Sequence, residues 1–232
     1  MDPTVPPGAA ILLDFMREIE TGRRDATAYD TLYGHNERHL PKPLTRMTLD
    51  EVIAAGAGWT RAYKSSAAGA YQFMRATLQG LKSELGLRGS QIFDNGLQDR
   101  LGYHLLKRRG YAEAVAGRIT LEEFGKRLAM EWASMPVLAA TKGAHRTLQR
   151  GQSYYAGDAL NKSLVPAATF EAVIAKALAT ARAVPPAVPE VPVISSAPAS
   201  AASGLAPLIA ALVAALVGLL AALGTNIKEY LP

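Results

Sequence analysis

The sequence predicts a mostly α-helical domain with a small loop or hairpin region, followed by a Pro/Ala-rich linker and one hydrophobic helix. Three observations predict this organisation. Apolar residues recur at spacings of three and four residues over much of the chain, which is the pattern of amphipathic helices. No segment alternates convincingly between apolar and polar residues, as a half-buried strand would. The composition changes sharply after residue 183, where Pro, Ala, Val and Ser dominate.

The first predicted helix leads to a glutamate at its end. Its apolar stripe consists of Ile11, Leu12, Phe15, Met16 and Ile19. Glu20 follows at the edge of this stripe, just before Thr21 and Gly22, where a helix would end. Partial burial there would disfavour the charged carboxylate and raise its pKa, which suits a proton donor. On position alone, a glutamate at a helix end is more often a solvated surface residue.

Residues 23–63 are rich in loop-forming residues and contain one short helix. We expect this helix to begin at about Thr48, its N-cap, and to end at about Ala55, before Gly56. Any sheet would be a short hairpin between residues 25 and 45. Asp30 in this segment is expected either to cap a turn or to serve as a second carboxylate.

No metal or cofactor is expected. The His35–His39 segment lacks the glutamate placement of His-Glu-x-x-His, because its glutamate is Glu37, and Pro41 disfavours a long helix there. We interpret the segment as a solvated loop. The chain contains no cysteine, which excludes a disulfide framework, so the domain must be stabilised by its core.

A stretch of small residues precedes the next predicted helix, which starts near Phe73. Ser65, Ser66 and Gly69 would let a ligand approach the backbone. Tyr71 and Gln72 add a flat apolar face and an amide group. The ordinary interpretation of such a stretch is a helix N-cap formed by one of the serines.

Four more helical segments follow from apolar spacing and capping residues. They are expected at about Ile92–Arg109, Tyr111–Ala116, Thr120–Ser134 and Ala167–Ala183. Trp132 fits the apolar stripe of its helix and is interpreted as a core residue, with sugar stacking as the alternative. Tyr154 and Tyr155 lie in a glycine-flanked loop and are the better sugar-stacking candidates. Glu131 is expected on a solvated face.

The C-terminal part of the chain divides into three pieces. Residues 184–204 contain five prolines and one charge, which predicts a semi-extended linker. Residues 205–223 carry no charged side chain and match the length that crosses a bilayer. Small residues recur there at every fourth position, which favours helix–helix self-association. Residues 224–232 form a short tail. A membrane anchor is favoured over a buried soluble helix.

The charge of the chain points to an anionic partner. The net charge is +5 and the pI is about 9.5, and the positive excess lies before residue 183. A basic surface favours cell wall, lipopolysaccharide or nucleic acid. Basic residues are not interleaved with aromatic ones and no nucleic-acid motif occurs, so nucleic acid is not expected. The N-terminus lacks the features of a signal peptide, with Asp2 in place of a basic region.

Four sequence blocks carry a resemblance to a known family. In chain order they are Glu20-Thr21-Gly22 with Tyr29-Asp30 and Tyr33-Gly34, then Ser65–Phe73, then Trp132-Ala133-Ser134-Met135-Pro136, then Gly151–Asp158. Together they resemble the phage lambda-type lysozymes, which are endolysin-like muralytic enzymes, over about residues 9–162. Ala70 departs from the family pattern, which has a larger, often basic residue there.

The resemblance implies a lysozyme-like helical domain over residues 8–183 that cleaves peptidoglycan glycan strands by lytic transglycosylation. The family's catalytic acid maps onto Glu20. The implied substrate-binding residues are Ser65, Ser66, Gly69, Tyr71, Gln72, Trp132, Tyr154 and Tyr155. Asp30 would be the second catalytic group only if the enzyme were a true hydrolase. A membrane-tethered domain that binds peptidoglycan or a partner protein is the alternative from another class. The expected location is the bacterial inner membrane, with the domain facing the periplasm.

Overall fold

The computed structural model describes residues 1–158 and 161–183. Within these ranges it contains seven α-helices and one short antiparallel hairpin. The helices are α1 (Pro7–Thr21), α2 (Leu49–Tyr63), α3 (Arg75–Glu84), α4 (Asn95–Arg108), α5 (Tyr111–Val115), α6 (Leu121–Glu131) and α7 (Ala167–Ala183). The hairpin strands are β1 (Thr141–Lys142) and β2 (Thr147–Leu148). The mostly helical fold that the sequence predicts is confirmed.

Helix α1 ends where its sequence predicts. Gly22 adopts a left-handed conformation with φ +68°, and its N–H donates to the Glu18 carbonyl at 2.8 Å. Such a cap satisfies a carbonyl at the helix end and stops the helix. Leu12, Leu13 and Met16 are buried on one face, and α1 packs against α7 and α4. Glu20 is therefore held in the last turn of a well-anchored helix, one residue before its end.

Helix α2 is longer than predicted. Thr48 and Glu51 form a complete capping box at its start, but Gly56 does not end the helix, which continues to Tyr63. Gly56 faces the side chain of Arg75, and a Cβ at this position would lie 3.1 Å from that side chain. The glycine thus allows α2 and α3 to approach closely. A helical glycine costs only about 1 kcal/mol relative to alanine, so tertiary packing outweighs it.

Two other helix boundaries differ from prediction. Helix α4 begins at Asn95 rather than near Ile92, because the Asp94 carboxylate caps it by accepting the Leu97 N–H at 2.7 Å. Helix α6 begins after Thr120, as expected, but ends at Glu131. Trp132 takes an extended backbone conformation there, so residues 132–134 form a loop instead of a last helical turn.

The predicted hairpin lies in a different place. Residues 25–45 form short 3₁₀ turns rather than strands. Local polar bonds compete with strand pairing in this segment: Asp25 Oδ1 accepts the Thr27 N–H at 2.9 Å. The observed hairpin has two residues in each strand, which is too short to produce an alternating pattern in the sequence.

One hydrophobic core unites the described helices, and three chain segments meet at its edge. These are the end of α1, the stretch from Ser65 to Met74, and the loop after α6. The linker predicted at 184–204, the hydrophobic helix at 205–223 and the tail at 224–232 lie outside the described residues. Among the helices that the structure does describe, none has both the length and the apolar composition needed to cross a membrane.

Candidate active site

A cleft of about 670 Å³ opens where these three segments meet. Its polar lining comes from Glu20, Ser65, Gln72, Thr77, Glu131, Ser134, Asn161 and Lys162, and its larger apolar or aromatic lining from Tyr33, Tyr71, Phe73, Met74, Leu105, Trp132, Tyr155 and Leu164. An apolar cleft with a few convergent polar groups is the usual form of a small-ligand or saccharide site. Its lining residues are spread along the chain from Glu20 to Leu164.

Glu20 is a partly buried carboxyl group in this cleft. Burial raises its pKa to about 7, and a hydrogen bond from the Ser134 hydroxyl to Oε1 lowers it in part. No charge from a neighbouring side chain of the described residues contributes to this shift. Burial disfavours the carboxylate form because a low-dielectric surrounding solvates charge poorly. The Glu20 carboxyl group at the end of α1 therefore has the raised pKa that the sequence predicts.

Ser134 reaches Glu20 because α6 ends early. Trp132 leaves the helix in an extended conformation, and the following loop turns through a Met135 N–H to Trp132 carbonyl bond of 3.0 Å. The Ser134 carbonyl also accepts the Leu164 N–H at 2.8 Å. These two bonds fix the loop that carries the serine. A helix extended to residue 134, as the sequence suggested, would not have this loop geometry.

The serines before α3 have different surroundings. Ser65 lines the cleft, and its hydroxyl accepts the Ala67 N–H at 3.2 Å. Ser66 is buried, and its hydroxyl accepts the Arg75 N–H at 3.0 Å, at the start of α3. Neither serine is the N-cap that the sequence suggested, because Met74 holds that position without a side-chain capping bond; Ser66 instead bonds the first N–H of α3 from outside the helix. Of this pair, only Ser65 lines the cleft formed by the described residues.

Gly69 and Gln72 form the tight turn between Ala68 and Phe73. Gly69 has φ +77°, and a Cβ there would lie 2.3 Å from the Gln98 amide oxygen, so the residue must be small. Gln72 also has a positive φ of 47°. Its Nε2 donates to the Gly69 carbonyl at 2.9 Å and to the Thr31 carbonyl at 3.3 Å. Both N–H donors of the amide point to the protein, which leaves its oxygen as the group available to a ligand.

Tyr71 and Trp132 form the buried wall of the cleft. The Tyr71 hydroxyl donates to Asp99 at 2.6 Å, and Tyr29 donates to the same carboxylate oxygen at 2.8 Å. The Trp132 indole N–H donates to the Tyr71 carbonyl at 3.2 Å. Both rings are at least 95% buried, so they contact a ligand at their edges at most. Trp132 therefore fits the prediction of a core residue better than the alternative of a sugar-stacking residue.

The two tyrosines of the glycine-flanked loop also differ. Tyr155 lines the cleft, and its hydroxyl donates to the Met130 carbonyl at 2.7 Å. Burial raises the pKa of Tyr155. Tyr154 packs edge-on against Tyr155 with ring centroids 5.2 Å apart and supports it from the side of the core. Tyr155 is therefore the member of the pair that a ligand can reach from the cleft.

The cleft contains a second carboxyl group besides Glu20, and it belongs to Glu131 rather than to Asp30. Asp30 does not line the cleft formed by the described residues; its Oδ1 accepts the Thr45 N–H at 2.8 Å and joins two turns. Glu131, which was expected on a solvated face, lines the cleft instead. Its Oε2 accepts from Arg109 Nε at 2.7 Å in an ion pair, and only 12% of its side chain is exposed.

Several cleft residues were not assigned to the site from the sequence, and those that matter most for its chemistry and contacts are Ser134, Glu131 and Tyr33. Ser134 and Tyr33 lay within the blocks that carry the family resemblance, which was the available signal. Glu131 precedes Trp132, and its inward direction depends on where α6 ends. In the part of the chain that the structure describes, no cluster of three or more His, Asp or Glu side chains could hold a metal ion.

Comparison with known proteins adds one finding. A family model described as Endolysin matches residues 50–159, a range that contains Ser65, Gln72, Ser134 and Tyr155 but not Glu20. The curated proteins and the solved structures give no match. Residues 50–159 are therefore endolysin-like, and this match supports a peptidoglycan-degrading enzyme.

Proposed function

We propose that this endolysin-like domain cleaves the β-1,4 bond between N-acetylmuramic acid and N-acetylglucosamine in peptidoglycan by lytic transglycosylation. The observation that carries the proposal is the surrounding of Glu20. A carboxyl group with a pKa of about 7 is protonated in a large share of molecules at neutral pH, and it can donate a proton to a leaving sugar oxygen. Its place in a cleft of about 670 Å³ gives a glycan strand access to it.

The reaction needs one acid that later acts as a base. The protonated Glu20 donates its proton to the glycosidic oxygen, and N-acetylglucosamine leaves with a free 4-hydroxyl group. The 6-hydroxyl of N-acetylmuramic acid then bonds to C1 of the same sugar, and the Glu20 carboxylate accepts the proton that this hydroxyl loses. The product has a 1,6-anhydro ring, no water is consumed, and Glu20 returns to its protonated form.

The surroundings of the other carboxylates favour this reaction over hydrolysis. A retaining hydrolase places a second carboxylate roughly 5 Å from the acid, and an inverting one roughly 6.5 to 9.5 Å away. Asp30 is bonded to the Thr45 backbone, and Glu131 is paired with Arg109. A free carboxylate close to Glu20 would raise its pKa by repulsion, yet burial alone raises it. True hydrolysis by water is the alternative within the enzyme class.

The groups available to hold the sugars are fewer than the sequence suggested. Ser65 and Gln72 line the cleft, and the Ser65 hydroxyl and the Gln72 side-chain oxygen can bind sugar hydroxyl or acetamido groups. Ser66 is engaged by the Arg75 N–H and is assigned to support of the cleft. The buried Tyr71 and Trp132 shape the wall, and Tyr155 offers a partly exposed ring.

Digestion of purified peptidoglycan tests this function. The wild-type chain should release fragments whose mass is that of 1,6-anhydromuramic ends, and Glu20→Gln should release almost none. A chain that binds peptidoglycan but releases no fragments would instead support the tethered binding domain. Fragments with ordinary reducing ends would support the hydrolase.

We further propose that residues 205–223 attach the domain to the bacterial inner membrane, with the domain facing the periplasm when it acts. The support is the sequence alone: these 19 residues contain seven Leu and no charge, enough to cross a bilayer core. Deleting residues 184–232 should leave an active domain in the soluble fraction. Recovery of the full-length chain in the soluble fraction after membranes are washed with carbonate would contradict the membrane anchor.

A further inference from the structure

Exposed apolar side chains concentrate at the cleft. Among the described residues, the large hydrophobic side chains that are well exposed are Met1, Tyr33, Met74, Leu85, Ile92 and Leu164. Three of them, Tyr33, Met74 and Leu164, line the cleft, and Tyr33 is the aromatic one. An apolar group left in water next to a binding cleft is a common sign of a contact surface for a ligand.

Tyr33 and Met74 are brought together by a small pleated arrangement. Leu32 pairs with Ala68, and Ala68 pairs with Phe73, both in antiparallel bridges. These three central residues are buried. Side chains one step along a strand point to the opposite face, so Tyr33, Ala67 and Met74 share the face turned to the cleft.

This face forms a shallow depression that we call the Tyr33 trough, made of Tyr33, Ala67 and Met74. Neighbouring strands lie about 4.8 Å apart, so the backbones that carry Tyr33 and Met74 are about 10 Å apart across Ala67. Both outer side chains are 46% exposed, whereas Ala67 between them is small and nearly covered. The trough therefore has two apolar sides and a low floor, with room for one flat ring.

The tyrosine side of the trough is held firmly. The Tyr33 N–H donates to the Ala67 carbonyl at 3.0 Å, and the Asn36 amide donates to the Tyr33 carbonyl at 2.7 Å. Glu37 accepts the Leu32 N–H at 3.4 Å and pairs with Arg23 at 2.6 Å. Arg23 directly follows the Gly22 cap of α1. The same helix end thus positions both Glu20 and Tyr33.

We propose that the Tyr33 trough is a sugar-binding subsite in which one pyranose ring of the glycan strand packs its C–H face on the Tyr33 ring. An aromatic ring offers a rigid apolar surface at little cost in conformational entropy, and its hydroxyl can remain in water. The Tyr33 hydroxyl has no hydrogen-bond partner in residues 1–158 or 161–183, so it stays available to solvent or to a sugar hydroxyl. This subsite rests on the proposed action on glycan strands.

Binding measurements in an inactive background test the trough. The probe is the β-1,4-linked tetramer of N-acetylglucosamine, titrated by calorimetry into full-length Glu20→Gln. Adding Tyr33→Ala should weaken binding about tenfold, as expected for loss of a stacked ring. Adding Tyr33→Phe should change it less than twofold because the ring remains. Ala67→Leu should also weaken binding, because its side chain fills the floor.

Leu85→Ala is the matched control, since Leu85 is an exposed apolar residue that does not line the cleft of the described residues. It should bind the tetramer like its parent. The trough is overturned if Tyr33→Ala binds as well as Leu85→Ala, or if the Glu20→Gln parent does not bind the tetramer at all. A parallel digestion of peptidoglycan by otherwise wild-type chains separates the two proposals. Cleavage with an unchanged KM in Tyr33→Ala would overturn the subsite alone, and absence of cleavage by the wild type would overturn the proposed function.

Discussion

Glu20 and Glu131 line the same cleft but have opposite surroundings. Glu20 is partly buried, and among the described residues it has no cationic partner and accepts a hydrogen bond only from the Ser134 hydroxyl. Burial raises its pKa to about 7, although the Ser134 bond lowers it in part. Glu131 is bonded to the Arg109 guanidinium at 2.7 Å. Burial without a counter-charge favours the acid form of Glu20, whereas the Glu131 carboxyl group is held in an ion pair by Arg109. The comparison teaches that lining the cleft does not by itself make a carboxyl group a proton donor, because the two glutamates have different partners.

The largest expected effect comes from removing the proton donor. Glu20→Gln keeps the size of the side chain but cannot donate or accept the proton, and it should lower the rate of peptidoglycan cleavage about 10²- to 10⁴-fold. Glu131→Gln is the matched control in the same cleft. The rate of muropeptide release measures both variants. If Glu131→Gln lost as much activity as Glu20→Gln, the proposed difference between the two glutamates would be wrong.

The raised pKa of Glu20 also predicts a pH-dependent stability difference. A carboxyl group whose pKa is higher in the folded than in the unfolded chain favours the folded state at low pH. This contribution is lost as pH rises from about 4.5 to about 7. Relative to Glu20→Gln, the wild type should therefore lose on the order of 2 kcal/mol of unfolding free energy across this interval, with allowance for partial exposure. Urea unfolding at pH 4 and pH 8 measures it, and a difference that does not change with pH would argue against a buried, unpaired Glu20.

Ser134 should tune the same group. Its hydroxyl lowers the pKa of Glu20 in part, so Ser134→Ala should raise that pKa further and move the alkaline limb of the pH–rate profile to higher pH. The expected loss of activity near neutral pH is modest, within about tenfold. Ser153→Ala is a suitable control, because Ser153 is a buried serine of the same region that bonds to the Ala133 carbonyl. An unshifted limb in Ser134→Ala would show that the bond does not act on Glu20.

The smallest effect is expected for the paired carboxylate. Glu131→Gln should retain most of kcat and change KM, because the Glu131 side chain lines the cleft and the oxygen that does not bond to Arg109 Nε, Oε1, can accept a hydrogen bond from a sugar. Arg109→Gln leaves Glu131 unpaired and should lower the unfolding free energy by about 1–3 kcal/mol. A kcat loss in Glu131→Gln with unchanged KM would assign this residue to the chemical step instead.

Features that depend on local sequence signals were predicted correctly, whereas features that depend on tertiary packing were not. The end of α1 at Gly22 and the position of Glu20 depend on local signals, namely apolar spacing and a glycine cap, and both were correctly located. The continuation of α2 through Gly56 depends on how closely Arg75 approaches, which no local pattern reports. The early end of α6 depends on tertiary packing of Trp132 beneath Tyr71, and the inward direction of Glu131 and the contact of Ser134 with Glu20 follow from it.

Cleavage of peptidoglycan in water labelled with ¹⁸O tests the central claim most directly, namely that Glu20 works without a second catalytic carboxylate. If the muramic 6-hydroxyl attacks C1, mass analysis of the released muropeptides will show 1,6-anhydro ends that contain no ¹⁸O. Reducing ends that carry one ¹⁸O would contradict the account, because water would then be the attacking group and a second carboxylate would be needed to activate it or to form a glycosyl intermediate.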